Sequence, residues 1–189
     1  MSLGAAMRDA RLTIEPAQES HREALRAACA KDSEIWEIYP ASFIGEHFDS
    51  AFDAFFHDPW DYPFVLFEND ELVGMTSYLR ADEANGSLEI GRTYLVPRAR
   101  GTGLNARVKR LMIDRAFAEG FTRVEFRIDT RNTRSMAAVG KLGAVHEGTL
   151  RRNRVTWTGH LRDTAVFAIL AEEWRALRAA PGRMAGARR

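Results

Sequence analysis

Cysteine is nearly absent: Cys29 is the one thiol in 189 residues. A lone thiol closes no internal disulfide and supplies no Cys-x-x-Cys zinc pattern, so no sulfur-based metal site is expected. No apolar run approaches the ~18 residues of a membrane span. The N-terminus has no apolar core of a secretory signal. Together these absences predict a cytoplasmic chain that does not enter a membrane. Lysine is scarce as well, at Lys31, Lys109 and Lys141 among 27 basic residues, and no function is read from that bias. Excess charge is also missing. The 27 basic residues meet 26 acidic ones, leaving +1, so no broad field draws in nucleic acid.

What is present is globular in composition, 46% apolar and 28% charged. The length suits one domain able to bury about 70% of its extended surface without a staple. Residues 1–10 are expected to be a flexible N-terminus or a cloning scar, with Met7 as the natural start. Residues 11–178 form the expected domain. Residues 179–189, rich in Gly, Ala and Arg, are the expected flexible basic tail. A homodimer stays open.

The apolar spacing gives the element order. A short strand is predicted at Leu12–Glu15 and a helix from Gln18 to about Lys31. Ile44, Phe48, Ala51, Phe52 and Phe55 recur at three- and four-residue spacings and mark a second helix. Two β-rich runs, Phe64–Phe67 and Leu72–Arg80, flank the polar turn 68–71. Asn85-Gly86 turns the chain into a strand at about Leu88–Val96. After Pro97, the residues Leu104, Val108, Leu111, Met112 and Ala116 form one helix face. Val124, Phe126 and Ile128 alternate with charged residues as a strand. This strand–helix–strand unit predicts a right-handed crossover between parallel strands. A shorter helix at about 133–142, strands at Ala144–Gly148 and Thr164–Leu170, and a closing turn or two of helix complete an α+β domain. Its mixed sheet is expected to have about seven strands.

The chemistry concentrates where the strand ending at Val96 enters Arg98-Ala99-Arg100-Gly101-Thr102-Gly103 and then a helix. Two glycines allow a tight turn and close approach of a ligand. The helix start offers unpaired N–H groups and the positive end of the dipole, which together suit a pyrophosphate. Residues 98–110 carry five cations and no acid. A P-loop would need Gly-Lys-Ser/Thr, but Gly103 is followed by Leu104-Asn105. A dinucleotide fingerprint would need three spaced glycines after a first strand.

Arg98, Gly101 and Gly103 fill a Q/R-x-x-G-x-G/A pattern that resembles the acetyl-CoA signature of the GNAT N-acetyltransferases. Asn132-Thr-Arg-Ser135, closing on Lys141-Leu142-Gly143-Ala144, looks like the family's second landmark. The runs Glu147–Arg151 and Gly159-His-Leu-Arg162-Asp163-Thr164 are similar to the RimJ/RimL-like branch, which acetylates ribosomal-protein N-termini. The resemblance covers about residues 11–178. It implies a GNAT fold (an α/β sandwich) with an antiparallel N-terminal half, a parallel central pair and helices on both faces. It also implies acetyl-CoA as donor and CoA as product. Backbone N–H groups from Arg98 through Arg100, Gly101, Thr102, Gly103 and Leu104 would hold the pyrophosphate, with Asn105 beside them. Leu95 and Val96 would pair with the pantetheine arm, and a strand N–H near Val96 would stabilise the oxyanion. Asn132 would hydrogen-bond the cofactor, and Ser135 would serve the departing thiolate as acid or as hydrogen-bond donor. Glu89 is the candidate base, directly or through water, since an attacking amine must lose its proton.

Each residue also has a plainer reading. Asn132 and Ser135 suit a helix start, and Glu89 suits an exposed strand. His146 and His160 suit the surface. Phe48, Phe52, Phe55 and Phe56 suit core or cleft wall, while Trp36 and Trp60 could line an acceptor groove. The acceptor is an amine, either a peptide N-terminus or a small molecule. Glu34, Glu37, Glu46, Asp49 and Asp53 could form an acidic wall for a cationic one. Three alternatives stand beside the enzyme: a non-catalytic CoA-binding sensor or scaffold, a nucleotide-binding protein, and a weak nucleic-acid contact through Arg151, Arg152, Arg154 and Trp157.

Overall fold

The computed structural model describes residues 3–179. Eight strands form one mixed sheet: β1 (Met7–Asp9), β2 (Leu12–Pro16), β3 (Tyr62–Glu68), β4 (Glu71–Asp82), β5 (Ser87–Leu95), β6 (Arg123–Asp129), β7 (Val145–Val155) and β8 (Leu161–Leu170). Their spatial order is β1-β2-β3-β4-β5-β6-β8-β7. The helices are α1 (Arg22–Cys29), α2 (Phe48–Phe56), α3 (Leu104–Ala118), α4 (Thr133–Lys141) and α5 (Ala171–Ala179), and they cover both faces. None is long and apolar enough to cross a membrane.

Local chemistry explains the first half. Asn69 and Asp70 both take positive φ, the geometry a tight β3–β4 turn requires and that Asn and Asp tolerate. The first five strands are consecutive antiparallel neighbours, and β5 then pairs with β6 in parallel through α3, as the crossover pattern predicts. Tyr78 anchors the sheet to α3 by donating its hydroxyl to the Met112 carbonyl at 2.7 Å.

Three expectations change. The sheet has eight strands, not seven, because Met7–Asp9 pairs with β2 and Leu3 is buried. Of the segment expected to be flexible, Met7–Asp9 forms the sheet's edge strand and Leu3 packs into the core. Residues 151–154, outside the strands expected at Ala144–Gly148 and Thr164–Leu170, lie within β7, where alternating apolar residues are too few to reveal a strand. The last part of the expected tail, 180–189, lies outside the described residues.

Two departures from regular pairing shape the centre. Tyr94 faces Met75 and Gly91 faces Ser77, so Arg92 and Thr93 together oppose Thr76 in a β-bulge, with Arg92 at φ 49°. In addition, β5 and β6 pair only from Ser87 to Glu89 against Arg123 to Glu125. Beyond Glu89 the two strands diverge and open a wedge in the sheet.

Candidate active site

A cavity of about 1050 Å³ fills this wedge and runs from the Gly101–Gly103 loop, past Thr93 and Glu89, to Arg154 and Arg162. Its edge on β5 follows from strand geometry. The Val96 N–H donates to the Val73 carbonyl of β4 at 2.9 Å. Successive N–H groups of a strand point to opposite sides, so that of Leu95 points away from β4 and into the wedge. The sequence reading placed an oxyanion donor near Val96. The ladder bond occupies that N–H, and Leu95 is the residue with a donor facing the opening.

At the other end, Gly101 and Gly103 adopt φ 77° and 88°, and a Cβ on either would meet nothing within 4 Å. Side chains are thus excluded by backbone conformation, while the space beside the loop stays open. Gly103 is the N-cap of α3, and the first intrahelical bond runs from the Arg107 N–H to the Gly103 carbonyl. The Leu104 N–H is taken by the Thr102 hydroxyl at 3.3 Å. Beside them, the Asn105 Oδ1 is shielded and accepts no hydrogen bond among the described residues. A buried acceptor without a donor is costly, so a ligand able to donate fits there.

The loop arginines are not the free anion cluster that their spacing suggests. Acids distant in sequence reach them. Arg98 pairs with Glu71 at 2.6 Å, Arg107 with Asp9 at 3.0 Å, and Arg100 with Asp32 while also donating to the Leu95 carbonyl. These pairings clamp the loop and the β5 end. The unassigned cations Arg134 and Lys141 lie on α4 and line the same cavity.

Glu89 is 7% exposed, on the last β5 residue paired with β6. Its carboxylate lies 3.8 Å from Arg80 and 3.9 Å from Arg127. Burial pushes its pKa above the ordinary glutamate value, against the pull of Arg80, Arg127 and Arg154. A buried carboxyl with a raised pKa at the floor of a cleft is the usual setting of a general base. The exposed-strand reading of Glu89 is not what the fold shows.

Asn132 caps α4: its Oδ1 accepts from the Ser135 N–H at 3.0 Å. The capping reading therefore holds, and both residues also line the cavity. Trp36 does not line it. It is fully buried, packed on Tyr39, Phe43 and Tyr94. Trp60 is exposed at the rim, whereas Phe55 forms wall and core at once. Asp49 and Asp53, candidates for an acidic wall, are engaged by Arg22 and Arg26.

The sequence groups Lys109 with the loop cations of an anion site and does not single out Tyr39. Lys109 is 5% exposed; its Nζ donates to the Thr93 hydroxyl at 2.5 Å and sits 5.6 Å from the Phe126 ring centre. Burial pulls its pKa down to about 7, partly offset by Glu89. The signal was present: Lys109 stands three before Met112 and four before Ile113, on the buried stripe of α3. The Tyr39 hydroxyl donates to the Thr93 carbonyl in the wedge, and burial pushes its pKa up to about 12. No sequence pattern marked it.

A mixed sheet split after its first parallel residues, with a glycine loop and helix start at one mouth, makes an α+β architecture with a deep cleft suited to an anionic ligand. The acetyltransferase (GNAT) domain family matches residues 11–145, and the chain belongs to that family. A curated relative, "Uncharacterized N-acetyltransferase p20" of Bacillus licheniformis, is 30% identical over 112 residues, covering 58% of this chain and 61% of the relative. The chain thus spans under two thirds of that relative's length. The crystal structure of a probable GNAT-family acetyltransferase from Chromobacterium violaceum is 30% identical, with 91% of this chain and 89% of that chain covered and a TM-score of 0.85. The structure of Mycobacterium smegmatis RimJ in complex with CoA-disulfide is 23% identical, with 90% and 89% covered and a TM-score of 0.75. That likeness shows the fold alone.

Proposed function

We propose that this protein is an acetyl-CoA-dependent N-acetyltransferase acting by direct attack of an amine within a ternary complex. The observation that carries the reading is the wedge between β5 and β6. It joins an anion-binding helix start to a buried carboxylate through a channel edged by the Leu95 N–H. The residues fit the cofactor. Backbone N–H groups of 101–103 and the α3 start take the pyrophosphate, and Asn105 supplies an acceptor needing a donor. The Leu95 N–H pairs with the pantetheine arm, and Asn132 borders it. The bound cofactor supplies an activated acetyl thioester.

The protein's own work is then proton handling and positioning. An ammonium has no lone pair, so Glu89 takes the amine proton, directly or through one water. As the N–C bond forms and the C–S bond breaks, the Ser135 hydroxyl donates to the departing sulfur. Lys109 and the two threonines, Thr76 and Thr93, whose hydroxyls lie 2.8 Å apart, fix the bulge behind the β5 edge. The RimJ/RimL-like motifs support an α-amine as acceptor, whose pKa near ~8 makes modest demands on the base.

The test is calorimetric titration with acetyl-CoA, CoA, ATP and NAD, followed by thiol-detected CoA release with amines. Micromolar binding of the CoA compounds and amine-dependent release are expected. Binding without release would favour the CoA-sensing module, and tighter ATP or NAD binding would overturn the assignment.

A further inference from the structure

The cavity walls are strongly one-sided in charge. Ten cationic side chains line it against four acids, Asp58, Asp61, Glu89 and Asp129. Part of the excess lies at the phosphate end. The rest lies at the opposite end, beyond Glu89, and there the acids are committed. Asp58 and Asp61 share Arg92, at 3.6 and 2.6 Å. Asp129 is chelated by Arg131, which donates its backbone N–H at 2.9 Å, its Nε at 3.0 Å and its Nη2 at 2.8 Å. Glu89 faces both Arg80 and Arg127.

Two arginines remain with no carboxylate within hydrogen-bond distance. Arg162 is 5% exposed, donates Nη2 to the Arg127 carbonyl at 3.0 Å, and keeps a buried Nε with no hydrogen-bond acceptor, 4.0 Å from Asp129. Arg154, exposed, stands opposite it in the β7–β8 ladder; its side chain makes no hydrogen bond or salt bridge among the described residues, though its charge acts on Glu89. A buried guanidinium with an unsatisfied donor is expensive unless an anion completes it. The hairpin carrying both is fixed over the cleft: the Trp157 indole donates to the Trp36 carbonyl at 2.8 Å, and its N–H to that of Pro40 at 3.2 Å.

We infer that Arg162 and Arg154 form an oxyanion subsite, and that the acceptor is a small amine carrying its own carboxylate or phosphate group. Resting on the transferase reading above, the subsite holds the anion while the amine of the same molecule faces Glu89. A polyamine finds no free acidic wall here, and a peptide N-terminus brings no carboxylate of its own to this depth.

The test uses matched acceptors that differ only in the anion: L-amino acids against their amides, and phosphoethanolamine against ethanolamine, with spermidine and a short N-terminally free, C-terminally amidated peptide as further arms. The anionic member of at least one pair is expected to exceed its neutral partner at least tenfold in kcat/KM, and the pair that shows it distinguishes carboxylate from phosphate. In Arg162→Gln and in the exposed Arg154→Gln that preference should fall below about threefold, with CoA affinity unchanged. Equal use of both members of each pair, preference for spermidine or the peptide, or survival of the preference in Arg154→Gln would overturn the subsite. If no amine releases CoA, the transferase reading fails by itself. Calorimetric titration of the CoA-saturated protein with the same pairs then decides the subsite. Binding of the anionic member that is lost in Arg154→Gln upholds it; no difference within the pairs removes it.

Discussion

Replacing Lys109 with methionine should stabilise the protein, and by an amount that depends on pH. The ammonium is buried beneath the wedge with one hydroxyl partner, Thr93. Its pKa of about 7 lies roughly 3.4 below the ~10.4 of a solvated lysine. Between those values the unfolded chain holds the proton more tightly than the folded one, so stability rises with pH across this window. At about 1.4 kcal/mol per unit, the charge costs the fold about 4 kcal/mol at pH 7 and about 2 kcal/mol at pH 9. Methionine matches the length without the charge and forfeits a hydrogen bond worth about 1 kcal/mol. The net gain should therefore be about 3 kcal/mol at pH 7, shrinking to about 1 kcal/mol at pH 9. Urea unfolding of both proteins at the two pH values, at constant m, measures it. A gain that is the same at both, or a loss at pH 7, would show that Lys109 is not a desolvated ammonium and refute the argument.

Glu89→Gln should remove the rise of kcat/KM through the raised pKa of Glu89, leaving a flat, low profile; an unchanged pH–rate curve would dismiss the base. Ser135→Ala should lower kcat by about tenfold or more with little change in acetyl-CoA affinity; equal loss in both would reduce Ser135 to a binding contact. Asn132→Ala deletes the α4 cap and should cost about 1 kcal/mol in thermal or urea unfolding. Gly103→Ala places a side chain at φ 88° where no atom obstructs it, so a cost of about 1–2 kcal/mol from backbone strain alone is expected, with weakened CoA binding by calorimetry.

How much of this was legible in the sequence depends on range. The crossover, the Gly101–Gly103 turn and the Asn132 cap are local, and the residue types that make them are read within a few positions. The pairings of Arg98 with Glu71 and of Arg107 with Asp9 span 27 and 98 residues, so a run of cations looks like a free anion site in the sequence. Glu89 alternates like any strand residue; its burial depends on its central place in the sheet, between β4 and β6, which no single strand encodes. β1 was missed because three residues carry too little periodicity to stand out. Arg162 fell inside a quoted motif, yet its unfilled donor is visible only once Arg131 is seen to occupy Asp129.

The seam in the sheet also bears on cooperativity. Among the described residues, three residue pairs of β5 and β6 are all that join the first five strands to the last three by ladder bonds. Local opening free energies follow such connectivity, so opening along this seam should cost less than opening within either half. A pantetheine chain laid along Leu95 would splint them. Amide hydrogen exchange at residues 90–95 and 126–129 should then slow far more than exchange in the outer strands, and the cofactor would act as a structural rung as well as a reagent.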